Sequence, residues 1–158
     1  SVGRCRQPIL LGGPAGGGPL WAIKAGAGGV IDLQEGETTN AGIAWRQARG
    51  GPPMASPLLH DGLLYIAGTG VVTCYNAATG EEVWKERLPG ARGFTSSPWA
   101  AGGKLYFLDE DGQTFILAAG PKFQVLGKNS LGEMCWSSPA IADGAIYLRT
   151  VDHVFCIK

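Results

Sequence analysis

The sequence predicts an all-β chain assembled from one small antiparallel unit used several times over. Three observations carry that expectation. Glycine supplies 26 of the 158 residues, more than twice the usual share of ~7%, which points to many tight turns and short elements. The phrase Ser-Pro recurs at Ser56-Pro57, Ser97-Pro98 and Ser138-Pro139, each 41 residues after the last. Residues downstream of each phrase keep that step: Gly62, Gly103 and Gly144, then Tyr65, Tyr106 and Tyr147, then Cys74, Phe115 and Cys156. Self-similarity at a fixed period of roughly 40 residues marks a chain of repeated supersecondary units.

Composition narrows the function classes. Hydrophobic residues make up 45% and charged residues 16%, the balance of a folded chain rather than a disordered one. With 13 basic and 13 acidic residues the net charge is zero. No basic stripe stands out, which argues against nucleic acid as a partner and against an anionic membrane surface. No apolar run approaches the ~18 residues of a membrane span. The chain begins at Ser1 with no leader-like segment. It reads as a fragment or processed form, so the parent protein's location stays open. The four cysteines, Cys5, Cys74, Cys135 and Cys156, include no CxxC pair. A zinc site is therefore not indicated, and they are expected to be buried free thiols.

Along the chain, residues 12–19 are Gly/Pro-rich and read as a flexible connection; the phosphate-binding GxxxxGK[ST] pattern is absent. Short strands are expected on either side, near residues 8–11 and 20–24, with further strands around 30–33 and 43–47. A Gly/Pro-rich link at 49–53 ends this unit. The clearest unit runs from 54 to 90. Its strands are expected at 55–60, 63–67, 71–75 and 82–88, with Asp61-Gly62 as a tight hairpin turn between the first two. The third unit, 94–131, repeats the plan with strands at 94–101, 104–109, 114–118 and 123–126. The fourth, 134–158, supplies 134–142, 145–149 and 154–157. Its last strand matches residues 20–24 in pattern, so the first unit (about 8–50) is expected to lack its innermost strand and the last its outermost. With the small strand around 30–33 set aside, the total is about 14 strands, in the order three, four, four and three. Four-stranded units at this period predict a β-propeller of about four blades, a partial ring with incomplete terminal blades, over residues 1–158 as a single segment.

WD40 propellers share the period, but neither Gly-His nor Trp-Asp occurs here. The segment Cys74-Tyr75-Asn76-Ala77-Ala78-Thr79-Gly80-Glu81-Glu82-Val83-Trp84 resembles the tryptophan-docking motif of PQQ-like, quinoprotein-type and BamB-like propeller repeats, Ala-x-Asp-x-x-Thr-Gly-x-x-x-Trp. Thr79, Gly80 and Trp84 match, Cys74 stands for the Ala and Asn76 for the Asp. Thr-Gly would turn the chain into the outermost strand, and the indole would pack between blades. The motif is degraded elsewhere: the first unit has Trp45 without the Thr-Gly, and the third is expected to carry Val125 at the tryptophan position. The resemblance covers nearly the whole chain and implies a bacterial periplasmic or extracellular setting.

The family's name raises the question of a cofactor. The resemblance implies that catalytic members hold a quinone in the central channel with a stacking Trp and a bound calcium ion, many with a vicinal disulfide. This chain has no adjacent Cys pair, and its carboxylates fall mainly in turns and on outer strands. No cofactor is expected within it; PQQ and calcium would require residues from further blades. Asp109-Glu110-Asp111-Gly112 does not keep the register of a calcium loop and reads as a solvated acidic hairpin tip. Glu81-Glu82 and Lys85-Glu86-Arg87 read as the solvated face of an edge strand. His60 and His153 occupy different repeat positions, and Ser96-Ser97 and Ser137-Ser138 lie in no nucleophile elbow. No catalytic or metal-binding residue is nominated. Trp99 and Trp136, placed on first strands, are candidates for lining the channel. The leading expectation is a non-catalytic interaction scaffold with a protein or peptide partner. The alternatives are part of a PQQ- and calcium-dependent dehydrogenase, or a half-ring that pairs with a second copy.

Overall fold

The computed structural model describes residues 9–12 and 18–158. The residues described contain 14 strands and no helix. The first blade is β1 (Ile9–Gly12), β2 (Leu20–Ile23) and β3 (Ile43–Gln47). The second is β4 (Leu58–His60), β5 (Leu63–Ala67), β6 (Val71–Asn76) and β7 (Glu82–Arg87). The third is β8 (Trp99–Ala101), β9 (Lys104–Leu108), β10 (Gln113–Ala118) and β11 (Val125–Ser130). The fourth is β12 (Ala140–Ala142), β13 (Ala145–Arg149) and β14 (Val154–Ile157). Each blade is a separate antiparallel meander in sequence order, and the ring is not closed.

Turn chemistry explains the meander. The hairpins β4–β5, β8–β9 and β12–β13 each turn on two residues with positive φ: Asp61 and Gly62 (48° and 76°), Gly102 and Gly103 (55° and 70°), Asp143 and Gly144 (51° and 73°). Two left-handed residues give the turn whose twist matches the strands it joins, which selects Asp-Gly and Gly-Gly at these places.

The cores lie between blades rather than within them. Alternate residues of β5 and β6 face opposite neighbours. Leu64, Ile66 and Tyr75 pack with Leu20, Ala22 and Trp45 of the first blade. Tyr65, Ala67, Val72 and Cys74 pack with Leu105, Phe107, Phe115 and Leu117 of the third. The third junction is thinner, with Leu108, Cys135 and Leu148 as its buried members.

Four expectations need correction. Residues 30–33 form no strand but belong to the irregular segment between β2 and β3. The first strands are shorter than the apolar pattern suggested, because each begins after its Ser-Pro: Pro lacks the N–H that a ladder requires. Cys74 and Cys135 are buried, but Cys156 is exposed, because among the described residues no blade covers its face of β14. The acidic tip is not solvated: Asp109 is fully buried. Its carboxylate accepts hydrogen bonds from Gln113 N (2.8 Å) and Arg92 N (3.4 Å). The expected Gly-rich connection at 13–17 and Cys5 lie outside the described residues.

Candidate functional site

The Ser-Pro phrase has a structural task. Ser56 N donates to Ser97 Oγ at 3.1 Å, and Ser97 N donates to Ser138 Oγ at 2.8 Å. Each bond joins one blade to the next across a separation of 41 residues. The hydroxyl of each serine thus satisfies the amide of its counterpart, and successive first strands are brought side by side.

The outer strands show a second repeating device. Each carries one bulge: between Ala22 and Ile23 in the β2–β3 pairing, Cys74 and Tyr75 in β6–β7, and Ile116 and Leu117 in β10–β11. Just beyond it, Ala22 pairs with Trp45, Cys74 with Trp84, and Ile116 with Gly127. The tryptophan position of the third blade is therefore Gly127 and not Val125. Its turns on either side of β10 are longer, so counting residues slips by two.

At the first two junctions the indole is held firmly. Trp45 Nε1 donates to Ala77 O at 2.9 Å, and Gln47 Nε2 to Gly80 O at 2.7 Å. Asn76 Oδ1 accepts from Ala78 N (2.9 Å) and Thr79 N (3.3 Å), and Thr79 Oγ1 accepts from Glu81 N (3.3 Å), which shapes the turn that receives the ring. Gly80 sits at φ 76°, and a Cβ there would lie 2.5 Å from the Trp45 ring. Only glycine meets both demands. Trp84 Nε1 donates to Gly120 O at 3.3 Å, and its ring lies 5.9 Å from Tyr65 and 5.3 Å from Phe123. Tyr65 Oη accepts from Gly120 N at 3.0 Å. Burial raises the pKa of Tyr65 and pushes the Cys74 thiol up to about 11, so both stay neutral.

The third junction is different. Gly127 stands where the other junctions have an indole, and a cleft of about 600 Å³ lies between these blades, lined by Trp99, Tyr106, Ile116, Ile146, Leu148 and Ile157 among others. Trp99 stacks on Tyr106 with centroids 5.1 Å apart and planes 7° from parallel. Its Nε1 is buried and makes no hydrogen bond. Trp99 thus lies on β8 and faces this cleft. Trp136 is not on a first strand, as expected from the sequence, but in the loop before β12, where it is 59% exposed. The two tryptophans therefore hold different repeat positions.

Polar groups elsewhere serve the turns. Arg92 Nε pairs with Asp111 at 2.9 Å, and Thr95 Oγ1 donates to Glu110 at 2.7 Å. Glu133 accepts from Thr150 Oγ1 and lies 2.6 Å from His153 Nδ1, and these partners lower its pKa. His60 lies 3.4 Å from the exposed Asp61. Among the described residues no three His, Cys, Asp or Glu side chains converge as metal ligands.

Four-stranded meanders with inter-blade cores and docked tryptophans define a PQQ-type β-propeller segment. Residues 12–120 match the family described as outer membrane protein assembly factor BamB, and the chain belongs to that family. BamB from Moraxella catarrhalis superimposes with a TM-score of 0.50 at 15% identity, covering 96% of this chain and 55% of that one. The computationally designed Ika8 protein gives a TM-score of 0.62 at 12% identity, over 89% of this chain and 40% of that one. A curated relative, tetrathionate hydrolase from Acidianus ambivalens, is 36% identical over 53 residues, 33% of this chain and 10% of that protein. The chain thus spans about a tenth of that relative and about half of the BamB structure.

Proposed function

We propose that the chain is a non-catalytic interaction scaffold of a bacterial envelope or secreted protein, with no cofactor of its own, which takes an extended protein segment as its partner. The observation that carries this reading is the outer edge of the second and third blades: β7 and β11 are the last strands of their sheets, and among the described residues no strand pairs with their outer sides. Most of their side chains are exposed, with Val83, Val125 and Leu126 among them. An unpaired edge with apolar side chains suits strand addition, where backbone hydrogen bonds give affinity and side-chain pockets give selectivity. The similarity to BamB supports the envelope setting.

A short synthetic peptide of alternating apolar and polar residues would test it. Hydrogen exchange should slow at the amides of residues 82–87 or 125–130 on addition of the peptide. No binding and unchanged exchange would overturn the reading. Self-pairing has one observation in its favour: the face of β14 and β13 turned away from the third blade carries Tyr147, Arg149, Val154 and Cys156, none of them buried. Sedimentation at increasing concentration tests that second reading, and a single monomeric species at all concentrations would remove it.

A further inference from the structure

We infer that β11, and not β7, is the edge that takes the extended segment, and that the segment it takes is acidic, with carboxylates set among apolar side chains. The inference rests on the edge reading above and adds which edge is used and what chemistry is selected. The two edges hold the same place in their blades. Each is the last strand of its sheet, and each pairs with its neighbour through one bulge. They differ in what they present to an arriving strand. β7 carries Glu82, Lys85, Glu86 and Arg87, four charges in six residues and all of them exposed. β11 carries one, Lys128.

Charged side chains guard an edge strand, because a strand that pairs with it must either cover them or match them. Four charges of both signs make β7 a poor template, since a segment would need the opposite sign beside each. At β11 the apolar Val125 and Leu126 are 44% and 46% exposed, and Gly127, Asn129 and Ser130 bring no charge. Lys128 is its one guard. Its Nζ donates to Gln113 Oε1 at 2.7 Å and lies 5.4 Å from the centroid of the Phe115 ring. Among the described residues no carboxylate pairs with it. A neutral or basic segment laid beside β11 would strip water from that ammonium and give it no counter-charge. A carboxylate on the added strand supplies one, as opposite charges on neighbouring strands attract and like charges repel. The surrounding field has the same sign. From Gln113 to Gly132 the sequence holds Lys122 and Lys128 and neither Asp nor Glu, and Lys122 is exposed in the turn that leads into β11. The acidic residues of the preceding turn are engaged elsewhere: Asp109 is buried, Asp111 meets Arg92, and Glu110 accepts from Thr95.

Two synthetic peptides test it, alike in their apolar residues and carrying either glutamate or lysine at the alternate positions. The glutamate peptide should slow hydrogen exchange at residues 125–130 and leave residues 82–87 unchanged. At low ionic strength it should bind about fivefold or more tighter than the lysine peptide, with the gap narrowing as salt is added. Lys128→Gln should remove most of that preference and leave the fold intact, since the side chain is exposed. Leu126→Glu, which adds a guard of the peptide's own sign at a half-exposed position, should abolish protection at residues 125–130. Equal binding of the two peptides, or protection of residues 82–87 by the glutamate peptide, would overturn the inference while edge capture stands. So would a preference that survives Lys128→Gln undiminished. Absence of protection at both edges with both peptides would overturn the edge reading and the inference with it.

Discussion

The second and fourth blades carry nearly the same residues and meet opposite fates. Tyr65 and Cys74 pair across β5 and β6, and Tyr147 and Cys156 pair in the same way across β13 and β14. Tyr65 and Cys74 are 0% exposed, while Tyr147 is 38% exposed and Cys156 lies open. The difference lies in what stands opposite. The third blade presents Leu105, Phe107, Phe115 and Leu117 to the first pair, and the described residues present nothing to the second. Strand sequence alone thus does not decide burial in this fold; the adjacent blade does.

Substitution can break that comparison, and the largest effect is expected at its buried end. Tyr65→Ala should cost about 3–5 kcal/mol, the usual range for deleting a buried aromatic ring, while Tyr147→Ala should cost less than ~1 kcal/mol; urea denaturation of both variants measures the contrast. Equal costs would mean that the fourth blade is covered in solution. Next in size, Gly80→Ala should lose ~1–2 kcal/mol from left-handed backbone alone, and more from the collision with Trp45. Ser97→Ala should remove one rung of the serine ladder and lose about 1 kcal/mol, with Ser56 left without its acceptor. The thiols give the comparison without mutation: iodoacetamide should modify Cys156 in the native chain and leave Cys74 until denaturant is added. If Cys74 reacts as fast, the second junction opens far more readily than its packing implies.

The smallest effect concerns acidity. Burial holds the Asp109 carboxyl above its ordinary value of 3.8, so the folded chain keeps that proton more tightly than the unfolded chain. The associated stability is present below the ordinary value and is lost as pH rises through the raised one. Asp109→Asn cannot ionise. Its disadvantage relative to the parent chain should therefore be greatest near pH ~3 and shrink toward pH ~7, as read from melting temperatures. A gap that widens with pH would show the carboxylate to be the favoured form after all.

Much of the architecture was legible in the sequence because turn chemistry is local. Asp61-Gly62, Gly102-Gly103 and Asp143-Gly144 announce their hairpins wherever they occur, and alternating apolar residues fill the strands between them. The tryptophan position of the third blade was not legible. Two turns there are each longer by one residue, so a fixed step of 41 lands on Val125, while hydrogen bonding places Gly127 in the indole's position. Absence of a side chain is harder to read than its presence, since a glycine in a glycine-rich chain carries no signal. The buried state of Asp109 was hidden for a similar reason: the Arg92 and Gln113 backbone amides it accepts from could come from any residue, and only the Gln113 side chain adds a residue-specific donor. The serine ladder did have a signal in its spacing, and only the contact between blades gives it a meaning.

That ladder has a consequence for how such a chain can grow. Every rung is made from one amide of the earlier blade and one hydroxyl of the later, so all bonds point the same way around the axis. A blade inserted by duplication arrives with its own donor and its own acceptor. It joins the series without alteration to either neighbour, and a copy that loses its serine breaks one link and leaves the others intact. The polar axis is indifferent to blade number. Length can then change by whole units in evolution, while the tryptophan position, free to become glycine at one junction, is where the copies diverge.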